Sequence, residues 1–201
     1  MSVAKISGVS IASISKISGI AKASVKSVMG VIVTTAYALG DTGPGGGKIF
    51  YVSGSTYLEA APANWGSYET QDYGPWSTGG NQSLAVSGAD GTAIGTGSQN
   101  SLDIANQSGN VAATCAAVAA RAYAGGGLTD WFLPSKDELS TLYTNRAYVD
   151  NFPTGKKYWS SSEASSTQAW ALWDNGTMTN SAGGLTKGWN LAARAIRTGS
   201  F

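Results

Sequence analysis

Histidine is absent from this 201-residue chain. That removes Ser-His-Asp and Cys-His catalysis, His-ligated zinc and the commonest proton shuttle. Cys115 is the only cysteine, so an intrachain disulfide and a multi-cysteine metal site are both impossible. It lies in ATCAAVAA, which reads as a buried helix face, where a small thiol is a packing residue. Glu163, in YWSSSE, has neither a second acid nor a histidine to work with and is expected to be hydrogen-bonded within the framework. Arg194 and Arg197 offer either an anion site or an ion pair to a neighbouring strand, with the other arginine in solvent; the second is the preferred reading. No carboxylates pair at a useful spacing. The chain therefore reads as a non-enzyme that needs no cofactor and no metal.

The bulk composition narrows the class further. Thirteen basic and twelve acidic residues nearly cancel, so no basic field exists to hold a polyanion, and nucleic acid is excluded as the expected partner. Charged residues make up 12% of the chain, about half the usual share. Gly, Ser, Thr, Ala and Asn fill the difference, with seven Trp and nine Tyr. Such a mixture suits an extracellular or viral protein built from short strands, turns and aromatic anchors.

Residues 1–40 read as an anchor segment and linker. KISGVSIASIS at Lys5 is followed at Lys16 by KISGIAKASVK, and a fading third copy runs as SVMGVIV. Gly8, Gly19 and Gly30 are eleven apart. β-branched residues dominate and glycine interrupts every third turn, so the pattern predicts short strands broken at each Gly. Two or three such strands bury no core alone and need a partner surface. VMGVIVTTAYA ends in an A-x-A pattern like a signal-peptidase site, but it is too short to span a bilayer and follows a long repetitive stretch, so it is read as retained. DTGPGGG, from Asp41, reads as a flexible boundary.

Residues 41–201 carry the globular pattern. KIFYVS predicts a strand. Thr56 to Gly97 reads as ordered loop with little regular structure, its order argued from Trp65, Tyr68, Tyr73 and Trp76. A helical region spans about Ser98 to Tyr123, interrupted at Gly109 and stopped by Gly125–Gly127. In WFLPSKDEL, Ser135 and Glu138 form a capping box, after an extended run that leads the helix in from the core. KKYWSSSE predicts a strand, and AWALWDNGTMTNS a hairpin around Asn175-Gly176. LAARAIRTGSF predicts a terminal strand with Ala193 and Ala195 on one face and Arg194 and Ile196 on the other. Trp131, Trp159 and Trp170 are expected in the core.

The order GGGKIFYVS, YLEAAP, SGADGTAIGTGSQN, an Ala-rich helix, DWFLPSKDEL, YWSSSE, AW and RAIR resembles the Lcl C-terminal domain family, found in collagen-like adhesins and phage tail proteins. The resemblance covers about Gly43 to Phe201. It implies an α+β, C-type-lectin-like fold of two helices, small antiparallel sheets and long ordered loops. It also implies homotrimers that bind glycans or other surface receptors. Two departures stand out: eleven-residue repeats replace collagen, and the closing motif is extended to RAIRTGSF. The single Cys115 does not match the catalytic cysteines of the related formylglycine-generating fold. Asp174-Asn175 after Trp173 is similar to part of a lectin calcium site, but an Asn-Gly turn accounts for it.

By the same resemblance, the ligand surface is expected on the hairpin and adjoining loops: Gln168, Asp174, Asn175, Thr177, Thr179, Asn180 and Trp189. These supply amides, hydroxyls and one aromatic face, which suit hydrogen bonds to sugar hydroxyls and stacking on the C–H face. The expected role is a phage virion protein, a fibre, spike or head decoration. Its residues 1–35 would dock onto other virion proteins, and its lectin-like domain would face host glycans. The alternatives are a structural cement that binds no receptor, and a secreted adhesin trimmed after Ala38.

Overall fold

The computed structural model describes residues 5–6, 9–10, 16–17, 20–21, 27–28, 31–32, 36–63, 65–66, 74–150, 152, 155–173, 175–179 and 185–200. The chain divides into two units, one over Met1–Tyr37 and one over Ala38–Ser200.

In the first unit the repeat becomes three antiparallel hairpins. β1 (Lys5–Ile6) pairs with β2 (Val9–Ser10), β3 (Lys16–Ile17) with β4 (Ile20–Ala21), and β5 (Ser27–Val28) with β6 (Val31–Ile32). Ile6 lies opposite Val9, Ile17 opposite Ile20 and Val28 opposite Val31. Each expected break at a glycine therefore falls between two paired strands.

The second unit is α+β. Among the described residues it holds three α-helices and two three-stranded antiparallel sheets. One sheet has the order β12-β8-β7, from β7 (Lys48–Ser53), β8 (Thr56–Ala60) and β12 (Ile196–Ser200). The other has the order β11-β10-β9, from β9 (Tyr158–Ser165), β10 (Gln168–Leu172) and β11 (Met178–Thr179). The helices are α1 (Gly97–Asn106), α2 (Ala116–Ala122) and α3 (Lys136–Thr144). The Ala-rich region is thus two helices, broken around the positive-φ Gly109, and the total is one more than the two expected. β8 also corrects the reading of Thr56 onward as loop: TYLEA is short, but it is the central strand between β7 and β12.

Side-chain alternation along extended backbone sorts the interior into two clusters. Trp131 and Leu133 enter a cluster with Trp76, Ile104, Cys115, Ala117 and Trp159. Phe132, between them, enters the other, with Phe50, Leu58, Leu139, Leu142, Tyr158 and Ile196. Tyr158 and Trp159 divide in the same way. Burial of this kind contributes roughly 1.5–3 kcal/mol per large apolar side chain. Trp170 departs from the expectation: it is half-buried, with the Lys136 ammonium 4.7 Å from its ring centre.

Buried polar groups fasten the loops to this interior. Ser135 caps α3 by accepting from Glu138 N, and Glu138 Oε2 accepts from Ser135 N at 2.7 Å. Glu138 Oε1 accepts from Gly95 N at 2.8 Å, tying down the loop before α1. Burial pushes the Glu138 pKa up, against the hydrogen bonds that pull it down. In the SSS run, Ser160 Oγ donates to Trp170 O and Ser162 Oγ to Gly91 O. DTGPGGG is not a loose boundary: Gly43, Gly45 and Gly47 are buried, and Gly45 N and Gly47 N donate to the Glu59 carboxylate at 3.2 and 2.8 Å. A Cβ on Gly47 would lie 1.8 Å from Ala60 O, so only glycine fits there.

Candidate ligand-binding cleft

The segment entering β9 runs parallel to the one approaching β12. Ala192 N donates to Lys157 O and Trp159 N to Ala192 O, both at 2.9 Å. This places Gly155, Lys156 and Lys157 along one wall of a cleft, and Trp189, Asn190 and Leu191 along the other; the space between them is about 310 Å³. Trp189 ends a turn in which its N–H donates to Thr186 O at 3.0 Å, and its side chain is 40% exposed.

Beside the cleft stands Trp173, at the base of the hairpin tip. Its N–H donates to Thr177 O and its carbonyl accepts from Gly176 N, both at 2.9 Å. Gly176 has φ +86°, the left-handed conformation a tight hairpin turn requires. Asn175 Oδ1 accepts from Thr177 N at 3.0 Å, closing the tip on itself. The Lys157 ammonium lies 3.8 Å from the Trp173 ring centre and 5.8 Å from that of Trp189, so two indole faces share one cation. Among the described residues no carboxylate pairs with Lys157.

The other tryptophans are used differently. Trp76 Nε1 donates to Ser160 O, Trp131 Nε1 to Gly125 O, Trp159 Nε1 to Gly74 O and Trp65 Nε1 to Ala193 O, at 2.8–3.1 Å. Among the described residues, the buried Trp173 Nε1 has no hydrogen-bond partner.

Of the residues singled out from the sequence, Asn175 and Thr177 sit exposed on the tip that hangs from Trp173, and Trp189 lines the cleft. Thr179, half-buried on β11, pairs with Ala171. Gln168 is at the far end of β10, opposite Ser165 and bridged to Thr186; it stands roughly 15 Å along the strand from Trp173. Asp174 and Asn180 lie outside the described residues, as do Tyr68 and Tyr73. Sequence reasoning missed Lys156, Lys157 and Asn190 as cleft residues, and Trp173 as the indole beside them. The Lys-Lys pair ahead of YWSSSE was a visible signal, but only strand pairing brings it beneath the two indoles.

The charged residues weighed as chemistry resolve into framework. Arg197 Nε and NH2 donate to the two oxygens of Asp130 at 2.9 and 2.8 Å, and NH1 donates to Glu59 at 3.1 Å and to the Tyr57 hydroxyl at 3.2 Å. Arg194 is not in solvent, as had been expected of the second arginine. It is fully buried and donates to the Ala61 carbonyl at 3.0 Å, because both faces of its extended segment are covered. Glu163 pairs with the buried Lys187 and accepts from Val86 N at 2.9 Å. Burial pushes the Cys115 thiol up to about 11, and Sγ lies 3.1 Å from Trp76 O, so this cysteine is an inert packing group. Among the described residues no group of His, Cys, Asp and Glu is arranged to hold a metal ion, and no helix is long and apolar enough to cross a membrane.

No protein-family model matches the chain, and no curated protein matches it either.

Proposed function

We propose that this is an attachment protein of a virus particle. In this reading, residues 38–200 are a C-type-lectin-like domain of the Lcl C-terminal type that binds host-surface glycans, and residues 1–35 join the protein to other virion components. The working unit is a homotrimer on the particle surface, and it needs no cofactor. Two small antiparallel sheets, short helices and long loops tied down by buried side chains support the lectin-like reading.

One observation carries the ligand site: Trp189 presents an open indole at the edge of a cleft, while Trp76, Trp131 and Trp159 are fully buried. An exposed indole beside amides, hydroxyls and amines is a stacking platform for the C–H face of a sugar, with hydrogen-bonding groups around its rim. Asn190 is such a group within the cleft itself, and Asn175 and Thr177 stand exposed on the hairpin tip that hangs from Trp173. The test is a glycan array probed with the full chain and with Trp189→Ala. Binding of a defined glycan subset, reduced tenfold or more in the variant, is the expected result. Absence of binding by the clustered wild-type chain would replace receptor binding with structural cement.

A further inference from the structure

We infer that the three N-terminal hairpins are completed by the same hairpins of other copies of this chain, so that residues 5–32 are the segment that assembles the oligomer. Each hairpin pairs only within itself: β1-β2, β3-β4 and β5-β6 are separate two-stranded sheets. Among the described residues each is held by two residue pairs, and an isolated two-stranded hairpin is marginally stable at best in water. Among the described residues, the outer edges of all six strands have no ladder partner, and such edges are templates for strand addition.

The register indicates what kind of molecule meets them. Lys5, Lys16 and Ser27 occupy one equivalent position, eleven residues apart, and Ile6/Val9, Ile17/Ile20 and Val28/Val31 occupy the next. A partner that completes all three hairpins must offer three matching edges at the same spacing. Another copy of this chain carries that spacing by construction, and rotational symmetry would set equivalent edges and β-branched pairs against one another.

Charge supplies an independent handle. Met1–Tyr37 contains Lys5, Lys16, Lys22 and Lys26 and no acidic residue. Copies brought together through this segment repel one another, so added salt should favour their assembly. Docking onto an acidic surface would instead weaken with salt. This inference rests on the proposed homotrimer, naming the segment that assembles it, and leaves any docking onto other virion components to the assembled segment; it does not depend on the glycan reading, because the cleft residues all lie beyond residue 150.

The test measures the mass of the full chain by light scattering at 0.05 and 0.5 M salt, beside the triple variant Ile6→Pro, Ile17→Pro, Val28→Pro. Proline removes a ladder N–H at each inner pair. All seven tryptophans lie between Trp65 and Trp189, so near-ultraviolet dichroism reports the second unit separately. The expected result is a wild-type oligomer that persists or grows at high salt, and a variant that falls to the 20.5 kDa monomer with its tryptophan signal intact. A wild-type monomer at both salt concentrations would overturn the inference. So would an oligomer that dissociates as salt rises, or a triple variant that keeps the wild-type mass. A second variant, lacking Lys16–Lys26, removes one whole period and keeps the phase; it should still assemble, with a lower dissociation temperature.

Discussion

Two regions of the second unit place a cation among aromatic and polar neighbours, and they treat it in opposite ways. At Glu59, the guanidinium of Arg197 meets two carboxylates and a tyrosine hydroxyl, and the same Glu59 holds two glycine amides. At the cleft, the Lys157 ammonium meets two indole faces and, among the described residues, no carboxylate. The first arrangement uses its charges internally and locks a loop. The second leaves polar capacity pointing at open space. A charge that serves the framework has its partners inside the protein, whereas a candidate binding site keeps some of its capacity unused.

Substitutions should separate the two regions. The largest effect is expected from Glu59→Gln, which leaves Arg197 its two bonds to Asp130 but removes the buried carboxylate that accepts from Arg197, Gly45 and Gly47. A loss of about 2–4 kcal/mol in urea unfolding is the expected cost of weakening these charge-assisted hydrogen bonds; a loss below about 1 kcal/mol would mean the region is not the lock described. Gly47→Ala, in the loop that Glu59 holds, forces a methyl group onto the Ala60 carbonyl and should cost about 1–3 kcal/mol by the same measurement. Lys157→Met retains the apolar stem and loses the cation, so about 0.5–1 kcal/mol is expected. Trp189→Ala should change stability by no more than about 0.5 kcal/mol, and a larger loss would move Trp189 from the site into the framework.

The smallest effect concerns acid. Hydrogen bonds from Arg197 hold the Asp130 carboxyl below its ordinary value of 3.8. The stability from that pair is fully present above the ordinary value and is lost as pH falls through the lower, folded-state value. Asp130→Asn should therefore flatten the decline of stability below about pH 4, read as unfolding midpoints across pH. Asp130 is half-exposed, so water screens the contribution.

What could be read from the sequence was local. Ser135 and Glu138 announce their capping box because both partners lie within one turn. Asn175-Gly176 announces its turn, and Gly8, Gly19 and Gly30 mark where strands break. Features made by distant pairing were not legible. Arg194 and Ile196 were expected opposite Ala193 and Ala195, but nothing in that alternation says that both faces are covered. DTGPGGG has the composition of a linker, and only the carboxylate of Glu59, on the central strand, pins its alternate glycines into the interior. Lys157, Trp173 and Trp189 come together through the bridge between Tyr158 and Ala192 and the return of β10 along β9.

The position of β12 has a consequence for the making of this protein. It pairs with β8 across 136 residues, Ile196 against Ala60, and Ile196 also exchanges backbone hydrogen bonds with Phe132. The sheet that carries Glu59 cannot close until nearly the whole second unit has been synthesised. Contacts of such separation slow folding and leave β8 exposed while the chain is still growing. A chain cut short before Ile196 would lack the edge strand of that sheet and the arginine that neutralises Glu59. Its unpaired β8 edge would then be open to strands of other chains.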